Sequence, residues 1–101
     1  MAIRDVSKSF GYQQIVGLAA STGLTVPTVQ VNGQTGQRPV IALLQAETQA
    51  IRWRDDLTAP TAAVGMLLNV GDAPYPYDGD LSAIRFIQVA ATATLNISFY
   101  S

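Results

Sequence analysis

The chain has no cysteine and no histidine. Without cysteine there is no disulfide framework and no thiolate metal site. Without histidine it lacks the commonest general base and the commonest transition-metal ligand. Charge is scarce as well: 13% of residues are charged, against about 25% in ordinary domains. No run of Lys or Arg occurs and the net charge is −1, so no electrostatic footprint for nucleic acid is present. No stretch approaches the ~18 consecutive apolar residues of a membrane-crossing helix. The opening MAIRDVSKSF lacks the apolar run of a secretory signal. Synthesis and folding in a cytoplasm, with neither nucleic acid nor membrane as partner, are therefore expected.

What remains is an apolar chain of one domain's length. Its 101 residues are 49% hydrophobic. A domain of this size buries roughly 60–70% of the surface its unfolded chain exposes, which supports a thin core. So little charge is poor protection against self-association. Part of the surface is expected to be covered by other protein.

Val, Ile, Thr, Tyr and Phe recur in short runs separated by Gly, Pro, Asn or Asp, the pattern of strands and turns. In Ala93-Thr94-Leu95-Asn96-Ile97-Ser98-Phe99-Tyr100 the apolar side chains alternate strictly with the others, which predicts an edge or half-buried strand. Leu81-Ser82-Ala83-Ile84-Arg85-Phe86-Ile87-Gln88-Val89 alternates less cleanly. Its phase slips between Phe86 and Ile87, as in a bulge or a strand covered on both faces. An apolar run from Val40 continues through Thr48-Gln49-Ala50 to Ile51-Arg52-Trp53-Arg54, where Ile51 and Trp53 share a face opposite Arg52 and Arg54. Leu24-Thr25-Val26, Val29-Gln30-Val31 and residues 64–70 are further strand candidates. A helix over 42–51 is disfavoured, because no cap precedes it and Pro39 stands before it. The segment QVNGQTGQR reads as an exposed loop or hairpin tip. About six to eight strands with turns near every ten residues predict an all-β fold, an antiparallel sandwich of jelly-roll type or a small barrel.

Three constellations could carry chemistry. The first is Arg52-Trp53-Arg54-Asp55-Asp56, where two cations meet two carboxylates around the only tryptophan. Adjacent aspartates after a strand make a solvated turn far more readily than an acid–base pair. The expected arrangement is Trp53 inward, with Arg52 or Arg54 paired to Asp55, Asp56 or a carboxylate of residues 72–80. The second is Asp72 with Asp78 and Asp80, which offers oxygens to a hard cation but too few for a calcium loop. A tight hairpin with Gly79 at positive φ is the plainer expectation. The third is Trp53 with Tyr75 and Tyr77. Aromatics beside carboxylates can grip a sugar, though packing is their commoner use. Ser7, Ser9, Ser21 and Thr22 have no histidine to activate them, so no catalytic residue and no cofactor is assigned.

The order of segments resembles a group of small virion structural proteins of tailed bacteriophages. The residues that carry the likeness are YQQIVGLAASTGLTVPT, ALLQAETQAIRWRDDLTAPTAAVGM and YDGDLSAIRFIQVAATATLNISFYS, spanning roughly 12–101. The group shows the same succession of a Leu-Thr-Val-Pro strand, an Ile/Val-Arg-Trp-Arg-Asp-Asp strand-turn, a Pro-Thr-x-x-x-Gly-Met turn-strand, a Gly-Asp-Leu/Phe-x-x-Ile-x-Phe-Ile strand and a final Leu-Asn-Val/Ile-Ser-x-Tyr strand. QVNGQTGQR is longer than the group's pattern. The resemblance implies a non-catalytic β-sandwich in the virion. A capsid decoration (cement) protein, a head or tail fibre base and a tail component all fit it. Decoration of the outer shell by a homo-oligomer leads, a trimer first among the possible numbers, with the major capsid protein or another virion protein as partner. A carbohydrate-binding module is the alternative. Residues 1–11 are read as an N-terminal arm and 12–101 as one domain. The arm and the loop 31–38 are expected to reach onto a neighbouring copy or the capsid.

Overall fold

The computed structural model describes residues 9–26, 29–31, 34–37 and 39–100. Among the described residues are ten strands and no helix: β1 (Ser9–Ile15), β2 (Thr22–Gly23), β3 (Val29–Val31), β4 (Gln34–Gln37), β5 (Ile41–Glu47), β6 (Ile51–Arg54), β7 (Met66–Leu68), β8 (Tyr75–Tyr77), β9 (Arg85–Gln88) and β10 (Thr94–Tyr100). Eight of them form two antiparallel sheets, ordered β1-β10-β5-β8 and β2-β9-β6-β7, while β3 and β4 pair as a separate hairpin. The expected all-β fold forms, as two open sheets rather than a closed barrel. Rank by rank, each strand of one sheet matches its sequence neighbour in the other: β1 with β2, β10 with β9, β5 with β6, β8 with β7. That is the wrapped, eight-stranded order of a jelly roll, with the β3–β4 hairpin inserted between β2 and β5.

Alternation builds the core. The register Leu95↔Ala46, Ile97↔Leu44 and Phe99↔Ala42 turns six side chains inward from β10 and β5. Ile51 and Trp53 from β6, Leu68 from β7 and Phe86 from β9 meet them from the other sheet. All of these are buried, and no polar or charged residue is buried among the described residues. Each large apolar side chain so buried contributes about 1.5–3 kcal/mol. Arg52 and Arg54 fall on the outer face, as the alternation predicts.

Several local expectations change. The C-terminal strand has its predicted inward face, but it lies in the middle of its sheet, between β1 and β5. Its polar side chains are used rather than merely solvated. Tyr12 Oη and Gln14 Nε2 donate to Asn96 Oδ1 at 2.7 and 2.9 Å, and Asn96 Nδ2 donates to Glu47 Oε1 at 2.9 Å. Residues 81–89 form neither a bulge nor a strand covered on both faces. Only Arg85–Gln88 is strand, and 81–84 is a turn closed by the Ala83 and Ile84 amides on the Asp80 carbonyl. Leu81, Ala83 and Ile84 are buried from that turn, and the slip between Phe86 and Ile87 arises because Phe86 faces the core while Ile87 lies half-buried on the outer face opposite Arg52. Residues 24–26 are not a strand; the Thr25 amide donates instead to the Gln13 side chain, and Leu24 and Val26 pack on the core from an irregular segment. Residues 78–80 are no hairpin, because they carry the chain from β8 in one sheet to β9 in the other. Gly79 is not at positive φ either. The run through 48–50 breaks at Thr48 (φ 78°) and divides into β5 and β6 on different sheets. The hairpin expected within 30–38 is present as β3 and β4. Residues 32, 33 and 38 lie outside the described residues, as do 1–8 of the arm; residues 9–11 belong to β1.

The strands β7 and β8 close one flank of the sandwich, and each is only three residues long. Short edges resist unwanted pairing, and Pro76 in β8 lacks an amide to offer a new neighbour. This flank is where the residues singled out by sequence converge.

Candidate functional site

The strand β6 projects Trp53 inward, between the two short edge strands. Its ring centroid lies 5.4 Å from that of Tyr77, edge-on, and 6.0 Å from that of Tyr75. Trp53 and Tyr77 are 8% and 5% exposed, whereas Tyr75 is 43% exposed. The register explains the difference. Tyr77 pairs with Ala42 and Tyr75 with Leu44, so both point inward, but Tyr75 stands further along the open flank. The expected aromatic trio is therefore assembled as packing, with Tyr75 alone presented to solvent.

The carboxylates serve the aromatics and the turn. Tyr77 Oη donates to Asp55 Oδ2 at 2.7 Å and lies 3.3 Å from the Asp80 carbonyl. Burial, then the adjacent Asp55 carboxylate, pushes the Tyr77 phenol well above its ordinary value of 10.0, so it remains a protonated donor. Asp80 Oδ1 accepts from the Ser82 amide at 2.9 Å and the Ser82 hydroxyl at 2.6 Å, an Asx turn that starts the approach to β9. Asp78 is exposed beside Gly79. A Cβ on Gly79 would come within 2.6 Å of Tyr77 Cζ, so glycine is needed there for the close approach of the ring. Asp72 is elsewhere, holding the Asn69 amide at 3.3 Å. No group of acidic residues fit to hold a metal ion occurs among the described residues. Replacing Tyr77 by Phe should remove the Asp55 bond without emptying the ring site. A loss of about 1–2 kcal/mol is expected, measurable as a lower urea midpoint with unchanged slope.

Arg54 makes the predicted pair. Its guanidinium holds Asp56 in a two-point contact, Nε to Oδ1 at 3.1 Å and Nη2 to Oδ2 at 2.5 Å. Arg52 binds main chain instead. Its Nε donates to the Ala62 carbonyl at 3.0 Å and its Nη1 to the Gly65 carbonyl at 2.9 Å, fastening the 61–65 turn against β6. The bond from Arg54 draws the Asp56 carboxyl below its ordinary 3.8, and the charge of Arg54 adds to this against an opposing desolvation. A depressed folded value means that the pair stabilises the fold above the unfolded value and ceases to as pH falls through the folded one. Asp56 is exposed and Arg54 only half-buried, so the effect is small and salt-screened. The melting temperature of Asp56→Asn should fall slightly below that of the parent at about pH 7, and the two should converge as pH falls through the depressed folded value of Asp56. A gap that persists in acid would contradict the pairing.

Between these elements runs an open groove of about 490 Å³, lined by Trp53, Arg54, Asp55, Asp56, Val64, Gly65 and Met66. Val64 and Met66 are 52% and 60% exposed, so the groove has apolar walls beneath a rim where Arg54 is paired with Asp56 and Asp55 adds a second carboxylate. It can hold an apolar or planar group. Sequence reasoning did not single out Val64 or Met66. The Gly65-Met66 pair marks them, because a glycine at φ 146° ends the turn and delivers Met66 opposite Trp53. No family model, no curated protein and no solved structure matches this chain.

Proposed function

We propose that this chain is a structural protein of a tailed-phage virion that decorates the outer capsid shell as a homo-oligomer. The observation that carries the reading is where the resemblance segments meet. Arg-Trp-Arg-Asp-Asp, Pro-Thr-x-x-x-Gly-Met and Tyr-Asp-Gly-Asp follow one another along the chain on the successive strands β6, β7 and β8, and they interlock at one flank across both sheets through Trp53 on Tyr77, Tyr77 on Asp55 and Arg52 on Gly65. Residues so used serve the architecture, which suits a shell component whose role is to hold its shape. The jelly-roll order adds support, since capsid proteins use it, but lectins use it too and a fold alone does not fix function. Low charge and exposed Val40, Val64, Met66, Leu67 and Val70 suit a surface spent largely against other protein. Co-sedimentation of the purified chain with undecorated capsids tests the reading: saturable binding at a fixed ratio to the major capsid protein is expected, and its absence would overturn it.

A glycan-binding module remains the second reading, on the strength of Tyr75 beside the groove. With Trp53 and Tyr77 buried, a sugar ring at this flank would have, of the three aromatics, Tyr75 alone to stack on. Titration with a panel of glycans should show no saturable binding. Saturation that disappears on Tyr75→Ala would favour the module instead.

A further inference from the structure

Leu57 combines two properties that work against each other. Its backbone lies at φ 70°, a region that bulky side chains avoid, and its side chain is 91% exposed. The turn does not need a leucine. Asp56 Oδ1 accepts from the Thr58 amide at 3.4 Å, and it would do so around Gly or Asn, which adopt this backbone more readily. Strain kept without any packing inside the chain marks a group held out for contact. Beside it, Ser21, Thr58, Ala83 and Arg85 border a hollow of about 220 Å³ with Leu57. The Arg85 guanidinium donates there to the main-chain oxygens of Ser82 and Ile84, each at 3.0 Å, and meets no carboxylate among the described residues.

A surface of the opposite kind lies on the outer face of the other sheet. Ile41 and Leu43 of β5, Pro76 of β8 and Tyr100 of β10 line an apolar groove of about 290 Å³. About 150 Å³ suffices for a benzene, so a leucyl side chain fits. The polar ladder around Asn96 covers the far half of this face, and the near half has no counterpart to it among the described residues. Two residues beyond Pro76 stands Asp78, exposed and without an ion pair among the described residues. One surface therefore presents an apolar knob beside a cation, and the other an apolar groove beside an anion.

We propose that Leu57 of one copy seats in the Ile41–Leu43–Pro76–Tyr100 groove of a second copy, with Arg85 facing Asp78 across the contact. This deepens the homo-oligomer in the function proposed above and rests on it. The two surfaces differ, so the contact is head-to-tail. Each copy uses both, and the assembly closes into a ring where the rotation permits.

Sedimentation equilibrium of the full chain over micromolar concentrations tests this. Leu57→Asp and Leu43→Asp should each weaken self-association at least tenfold. Mixed together, they should form a 1:1 complex that grows no further, because each retains one intact surface. Arg85→Asp and Asp78→Arg should each weaken association, and the double variant should recover it. Leu57→Gly separates contact from folding: it should raise the melting temperature by relieving the backbone while association is lost. Oligomers of unchanged affinity in Leu57→Asp would overturn the surface and leave the decoration reading standing. A parent chain that stays monomeric throughout would overturn both the surface and the homo-oligomer.

Discussion

Trp53→Ala should lower the stability of this domain by about 3–5 kcal/mol, the usual penalty for deleting a large buried aromatic. In a domain of this length each kcal/mol moves the melting temperature by about 4–8 °C, so a fall beyond ~12 °C is expected. The magnitude follows from position. Trp53 is 8% exposed, touches both Tyr75 and Tyr77, and has Phe86 and Met66 as its cross-strand partners. Its removal leaves a void between the sheets and takes away the ring against which Tyr77 packs edge-on. Thermal unfolding followed by far-ultraviolet circular dichroism measures this. An unchanged melting temperature would mean that Trp53 does not support the core.

Gly65→Ala should also be strongly damaging. The backbone there sits at φ 146°, where an L side chain is strained, and no relaxation of a neighbour removes that. An added Cβ would also stand 3.1 Å from the Trp53 carbonyl oxygen, 3.1 Å from Arg52 Cβ and 3.3 Å from Pro60 Cβ. The carbonyl belongs to the β6 backbone and cannot retreat. Strain and overpacking each cost about 1–3 kcal/mol, and a combined loss of about 2–4 kcal/mol is expected. The Arg52 bond to the Gly65 carbonyl should weaken with it. Gly17→Ala is the control: an added methyl there meets nothing within 4 Å, so its melting temperature should stay close to the parent's.

The legible parts of this fold were those governed by alternation. Leu95, Ile97 and Phe99, and likewise Ile51 and Trp53, declare their inward face through period two alone, because one face of each strand is buried and the other is not. The Arg54–Asp56 pair was legible because it is local. What alternation could not reveal was partnership. The polar face of β10 gives no sign that β1 will add beside it, since Asn96 looks the same in an edge strand as in a central one. The turn at 81–84 imitates a strand, because Leu81, Ala83 and Ile84 are apolar for the sake of the core rather than for a ladder. Arg52 was expected among carboxylates and serves main-chain carbonyls, a choice settled by where the 61–65 turn folds back. Leu57 gave no signal at all: only its backbone angle and its exposure, both properties of the folded chain, set it apart.

Whether the protein sits on the capsid is measured most directly by an electron cryomicroscopy reconstruction of particles that carry it. Density for two stacked four-stranded sheets is expected at fixed positions on the outer surface of the shell, repeated in contacting copies. A complete shell with no such density, or the same density confined to the tail, would contradict the decoration function.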